Sequence, residues 1–218
     1  MKTILCFGDS NTWGCKPIVS LDKIERYSKS ERWTGVLQRE LGSGYEIIEE
    51  GCGGRTTLWD DPIEGPKNGK EYLAPCLDSH QPLDLVIIML GTNDLKVRFS
   101  VSAWDIADSA GVLVDMVQRH AFFAAGALQP AVLLLAPPPI LDDTDLPEFF
   151  QERFAGGAGK SRLFAKHYRR VAEEFDCEFM DTSQLIQVSK TDGVHYDLDA
   201  HARLGNAVAS RVRQILES

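Results

Sequence analysis

The sequence predicts an α/β protein: a three-layer α/β/α sandwich on a five-stranded parallel sheet in the flavodoxin-like order 2-1-3-4-5. Three observations carry this. Short apolar runs alternate with longer stretches of helical pattern, the arrangement that gives parallel strands joined by right-handed helical crossovers. The runs Leu85–Leu90 and Val132–Leu135 are continuously apolar instead of alternating, as strands covered on both faces require. No repeat, low-complexity tract or long linker interrupts the 218 residues, so 1–218 reads as one domain, large enough to bury roughly 70% of its unfolded surface.

Taken in order, Thr3–Phe7 is the first strand, and Arg32–Leu41 the first long helix, with Gly42 as its stop. Strand Tyr45–Ile48 and helix Glu71–His80 follow, then the buried strand Leu83–Leu90. Helix Ala103–Phe123 opens on Ser102 and Asp105, spaced as a capping box. Strand Ala131–Ala136, helix Ser161–Phe175, strand Glu178–Met180 and helix Leu198–Leu216 complete the pattern. Three irregular stretches, Gly14–Ser30, Thr56–Gly69 and Pro137–Lys160, follow strand ends. Sites in such sheets form beyond the carboxyl ends of the strands, so these stretches are expected to rim a pocket.

Composition removes several classes. Against 32 acidic residues stand 23 basic ones, a net charge of −9 with no basic run, which argues against a nucleic-acid partner. No stretch approaches the ~20 apolar residues of a membrane span, and the chain enters a strand at once, so neither a membrane anchor nor a signal peptide is expected. The five cysteines (Cys6, Cys15, Cys52, Cys76, Cys177) are odd in number and contain no Cys-x-x-Cys pair. Free thiols in a reducing, cytoplasmic setting fit that pattern better than a disulfide framework or a zinc site.

The chemistry lies in where polar residues fall. Ser10 follows the first strand, Gly51-Cys52-Gly53-Gly54-Arg55 the second, and Gly91-Thr92-Asn93-Asp94 the third, while Asp192 and His195 precede the last helix. A doubly wound sheet brings these segments to one edge. Each has a role in acyl transfer: Ser10 as nucleophile, His195 as its base, and Asp192 to orient and stabilise the imidazole. The backbone N–H groups of Ser10 and Gly54 and the Asn93 amide would hold the oxyanion. Taken singly, each has a plainer reading. Ser10 could cap the helix after it, Asp9 could bond its own turn, and the glycines, Asn93 and Asp94 could merely make turns. His80, His120, His167 and His201 lack comparable company; His201 with Asp197 reads as an i,i+4 surface pair. The patch Asp142-Asp143-Thr144-Asp145 reads as a solvated loop.

Gly8-Asp9-Ser10-Asn11 resembles the first block of the GDSL esterases and of their SGNH hydrolase subset, whose four signature residues would be Ser10, Gly54, Asn93 and His195. Glu50–Thr57, Gly91–Asp94 and Asp192–His195 resemble the second, third and fifth blocks, in family order. Asn11 stands where the family usually has leucine, a change expected to affect packing or the pocket floor. The stretches Cys6–Gly14, Arg32–Leu37 and Leu83–Asp94 are most similar to bacterial arylesterases with acyltransferase activity. The resemblance implies an SGNH-type fold, no cofactor and no metal, and hydrolysis of short-chain or aryl esters. It also implies that alcohols or peroxide compete with water for the acyl-enzyme, and that copies of the chain assemble into a homo-oligomer. A small-molecule ester is the expected partner, with Asn11, Trp13, Phe99, Phe150, Phe154 and Val194 as expected pocket residues, and Trp59 and Phe149 nearby in strand-end loops. A sugar deacetylase or thioesterase would use the same site. A metallophosphoesterase drawing on Asp9, Asn93, Asp94 and His195, or a non-catalytic binding module, are the readings from other classes.

Overall fold

A computed structural model describes residues 1–121, 128–143 and 145–217. Five parallel strands form one sheet in the order β2-β1-β3-β4-β5: β1 (Lys2–Gly8), β2 (Tyr45–Gly51), β3 (Leu85–Met89), β4 (Ala131–Ala136) and β5 (Glu178–Asp181). A one-turn helix, α1 (Ser10–Trp13), sits directly after β1. The longer helices are α2 (Trp33–Leu41), α3 (Gly69–His80), α4 (Ala103–Arg119), α7 (Phe164–Glu174) and α8 (Leu198–Leu216), with the short α5 (Glu148–Arg153) and α6 (Gly157–Ser161) between β4 and α7.

Side chains alternate across a strand, and the central strands are apolar on both sides. Ile4 and Cys6 of β1, Leu85 and Ile87 of β3, and Leu133 and Leu135 of β4 pack with Trp33 and Leu37 of α2 and Leu204, Val208 and Val212 of α8. Leu5 and Phe7, Val86 and Ile88, and Val132 and Leu134 pack instead on α3, α4 and α7, against Leu73, Leu113 and Tyr168. That is why these runs carry no polar alternation. The register sets Gly8 beside both Gly51 and Met89, so the ends of three neighbouring strands meet at one point.

Several boundaries differ from the sequence expectation. Strand β2 continues through Glu49 and Glu50, whose charges are met by Arg32 and His80 at the sheet edge. Helix α4 closes at Arg119, and positions 122 and 123 of the expected helix lie outside the described residues. Its capping box is present, with Asp105 N–H donating to Ser102 Oγ at 3.1 Å. Helix α7 starts only at Phe164, because Ser161 turns the chain: its Oγ accepts from Ile140 N–H and donates to Ala158 O. The stretch 137–160 is not wholly irregular, since it contains α5 and most of α6.

His201 is a further correction. It is not part of a surface pair with Asp197: its ring is fully buried between α8 and α2, edge-on to Tyr27 and Tyr196. Its Nδ1 accepts from Trp33 N–H at 3.2 Å, which only an unprotonated nitrogen can do. Burial, together with the charges of His195 and Arg32, lowers its pKa to about 4. Because the folded-state pKa lies below the unfolded one, the stabilisation is fully present above about pH 6.5 and is lost as pH falls toward about 4, some ~3 kcal/mol in all. Urea unfolding of the native protein and His201→Gln between pH 8 and pH 4 is the measurement. The native protein is expected to lose more stability over this interval than the variant; equal slopes would refute the assignment.

Candidate active site

The site begins with a cap. Asp9 directly follows β1 and its Oδ1 accepts from Asn11 N–H at 2.9 Å, making Asp9 the N-cap of α1 and Ser10 its first residue. The capping role considered for Ser10 therefore falls to Asp9. Ser10 is left with its backbone N–H at the open amino end of a helix turn, where such groups lack intrahelical partners. Its Oγ lies 3.0 Å from His195 Nε2.

His195 is held from behind. Its Nδ1 is 2.7 Å from Asp192 Oδ2, and Asp192 is wholly buried. Asp192 Oδ1 accepts from the N–H groups of Val194 and His195, and Oδ2 also accepts from Ile18 N–H at 2.6 Å. Burial would raise the Asp192 pKa, but these bonds and the adjacent imidazole outweigh it and the net shift is downward. Burial works the other way on His195, and there the Asp192 hydrogen bond, with a contact from Cys15, prevails and raises its pKa. Geometry sets the roles of the two ring nitrogens: Nδ1 faces the Asp192 carboxylate and Nε2 faces Ser10 Oγ.

The other two strand-end loops complete the arrangement. Gly54, with φ +81°, occupies the left-handed region, and a Cβ there would meet Glu64 Oε2 at 2.5 Å. Asn93 opens a short helical turn after β3, and its Nδ2 is 3.5 Å from Asp9 Oδ2. Thr57 N–H and Oγ–H both donate to Asp94, which joins the second loop to the third. Burial pushes the pKa values of Asp9 and Asp94 each up to about 6, against the bonds they receive. Arg55 Nη1 donates to Gly8 O and Glu50 O, fixing the ends of β1 and β2 together.

A cleft of about 360 Å³ opens over Ser10, His195, Gly54 and Asn93. One wall is apolar, formed by Trp13, Ile18, Leu21, Ile24, Phe150, Phe154 and Val194. The other carries Glu64, Lys67, Lys96 and Arg153, where Lys96 Nζ is 2.8 Å and Arg153 Nη1 3.3 Å from Glu64 Oε1. A larger recess of about 650 Å³ lies between residues 183–191 and the start of α8, but it is polar and contains neither Ser10 nor His195.

Of the sequence-derived pocket residues, Trp13, Phe150, Phe154 and Val194 line the cleft, whereas Phe99, Trp59 and Phe149 do not. Asn11 is buried and lies outside the lining: its Nδ2 donates to Val194 O and its Oδ1 accepts from Tyr196 N–H, both at 3.2 Å, bracketing His195. It is a tie between two loops and not a pocket floor. Cys15, Ile18, Glu64, Lys67, Lys96 and Arg153 were not singled out as pocket residues from sequence; all but Lys96 fall in stretches expected to rim the pocket, but nothing in their pattern points inward. Asp9, Asp94 and His195 do not converge as ligands, since Asp94 is engaged by Thr57 and His195 Nδ1 by Asp192.

Residues 6–204 match the GDSL-like lipase/acylhydrolase family. The native aryl esterase of M. smegmatis superposes with a TM-score of 0.95 at 42% identity, covering 99% of this chain and 100% of that one. A carbohydrate acetylesterase from Sinorhizobium meliloti gives 0.93 at 40% identity, with 99% and 100% covered. A second S. meliloti structure, a carbohydrate acetylesterase family member, gives 0.93 at 36% with both chains fully covered. A search of curated proteins found no match. Among the described residues, no helix is long and apolar enough to cross a membrane.

The Asn11 tie can be tested on the reactivity of Ser10 alone. An alkyl fluorophosphonate is expected to label the native protein at Ser10 and to leave Ser10→Ala unlabelled. Asn11→Leu strands two buried backbone groups at about 1–3 kcal/mol each, and is expected to slow labelling by about tenfold or more while circular dichroism stays native. Undiminished labelling would remove the tie from the account.

Proposed function

The chain belongs to the GDSL-like lipase/acylhydrolase family, and from that premise we propose that it is a serine esterase acting on short-chain acyl or aryl esters through an acyl-enzyme. The observation that carries this reading is the continuous line Ser10 Oγ–His195 Nε2 (3.0 Å) and His195 Nδ1–Asp192 Oδ2 (2.7 Å), set in a cleft floored by Asn93. His195 takes the Ser10 proton as Oγ attacks the ester carbonyl, and ion-paired Asp192 stabilises the imidazolium that forms. The tetrahedral oxyanion is received by the N–H groups of Ser10 and Gly54 and by Asn93 Nδ2. His195 then protonates the departing alcohol or phenol, leaving the acyl group on Ser10. Water repeats the sequence from the other side and frees the acid. An alcohol in that step gives acyl transfer.

The apolar wall of Trp13, Ile18 and Phe150 suits a small acyl or aryl group, and the volume of about 360 Å³ is at the small end for ligand sites. The charged wall favours a second reading, a sugar ester whose hydroxyl groups bond to Glu64, Lys67 or Arg153. That is the substrate class in the description of the S. meliloti relative. Leu21 and Ile24, 48% and 56% exposed at the rim, suit contact with a second copy. The free cysteines suit a cytoplasmic location.

A chain-length series of p-nitrophenyl esters tests the reading. Turnover is expected to be fastest from acetate to butyrate, and to fall by about a thousandfold or more in Ser10→Ala. Unchanged turnover in that variant rejects the mechanism, and equal rates on long acyl chains reject the short-chain preference. Asn93→Ala is expected to lower kcat by about 10²–10³ with KM little altered; a change confined to KM would take Asn93 out of the oxyanion site. Added alcohol is expected to give transesterified product, and acetylated sugars decide the second reading.

A further inference from the structure

One group of chemically active side chains takes no part in the Ser10 site. Strand β2 is an edge strand, and Ile48 and Glu50 share the face that α3 covers. On α3, Cys76 and His80 are four residues apart and so occupy one helix face, directed at that strand. The result is a carboxylate, a thiol and an imidazole whose ligating atoms all lie within 4.8 Å of one another. Cys76 is 2% exposed and closes the inner side, while the Glu50 and His80 side chains are 19% and 28% exposed and open the outer side to solvent.

We propose that Glu50, Cys76 and His80 form a binding site for a thiophilic divalent cation of the zinc class, separate from the serine chemistry. The donor set is the argument. Thiolate, imidazole and carboxylate together are the mixture that zinc and its borderline-soft neighbours select, whereas magnesium and calcium require oxygen donors. Three protein ligands leave a fourth position for water, on the side where Glu50 and His80 reach solvent. Bond lengths of ~2.0–2.3 Å around a tetrahedral ion place ligand atoms roughly 3.3–3.8 Å apart, so rotations that move these atoms by about 1 Å close the set. His80 Nε2 and Glu50 Oε1 already meet at 2.8 Å and would exchange that bond for the ion.

The charge balance agrees. Arg55 lies over the rings of Phe7 and Tyr72, close to the group, and contributes one positive charge. A Cys76 thiolate and the Glu50 carboxylate contribute two negative ones, so the site keeps a net negative charge for a dication. In the metal-free protein, burial and the Glu50 carboxylate push the Cys76 thiol up to about 12, against the pull of Arg55. Binding must therefore release the thiol proton to solvent, and affinity is expected to rise with pH.

The test reads the metal and not ester turnover, so it stands or falls independently of the role given to Ser10. Chelator-treated full-length protein is titrated with cobalt(II), then with zinc(II). One cobalt per chain with a thiolate-to-cobalt charge-transfer band is expected, and zinc is expected to abolish the band. Cys76→Ser should lose the band, and Cys52→Ser, which removes the thiol on the loop after β2, should keep it. His80→Ala, altering a partly exposed residue at the end of α3, should weaken binding by about a hundredfold. No band in the native protein overturns the site, as does a band that survives Cys76→Ser. Should Cys76→Ser fail to fold, the affinity of His80→Ala decides, and an unchanged value overturns the site.

Discussion

Asp192 is a carboxylate without access to solvent, and the catalytic edge of the molecule is built around its need for partners. A buried charge is tolerated only when nearly every lone pair is used. Asp192 meets this with the N–H groups of Ile18, Val194 and His195 and with the His195 ring. The partners come from opposite ends of the chain, so satisfying one carboxylate brings the segment after α1 onto the segment before α8. His195 has no freedom to rotate away without uncovering that charge. Breaking such a pair from one side costs about 3–5 kcal/mol, a large part of the net stability of a domain.

The same device recurs on a smaller scale at each strand end. Asn11 bonds the backbone on both sides of His195, Asp94 receives Thr57, and Arg55 joins Gly8 to Glu50. Each tie runs from one strand-end loop to another, leaving the alignment to buried polar groups whose alternatives in an apolar environment are costly. The sheet brings the loops together through the shared register of Gly8, Gly51 and Met89. The side-chain ties then fix their relative positions to hydrogen-bonding tolerance.

How much of this was legible in the sequence follows from the range of the forces involved. Strands β1, β3 and β4 were visible because burial on both faces leaves an uninterrupted apolar run. The end of β2 was not, since Glu49 and Glu50 read as the start of a loop; their partners Arg32 and His80 are distant in sequence. Helices α5 and α6 are too short to show a period, and Phe150 and Phe154 are buried by packing that no local pattern encodes. The position of His201 beneath Tyr27 depends on a loop far away in the chain, so its spacing from Asp197 misled. Among site residues, Ser10, Gly54, Asn93, Asp192 and His195 stood out because they follow strands or precede a helix in a topology that gathers such positions. Asn11 drew attention for its identity, but its two bonds join places that only the folded chain brings together. The charged wall gave no signal beyond the place of Glu64, Lys67 and Arg153 in stretches expected to rim the pocket.

That wall also limits how far chemistry and specificity can be separated in this protein. Lys96, with a side chain only 2% exposed, lies between Asp61 and Glu64; Arg98 reaches both carboxylates and Arg153 reaches Glu64. Glu64 in turn reaches Gly54, where an added Cβ would meet its Oε2 at 2.5 Å. The network that lines the cleft therefore also bears on the Gly54 loop. A substitution of Lys96 would leave the two carboxylates less compensated in a nearly dry environment, and the adjustment would fall on Glu64 and the Gly54 turn together. Leu21 and Ile24 on the apolar wall are half exposed and take no part in this ion-pair network. The charged wall is too closely coupled to the site to vary on its own.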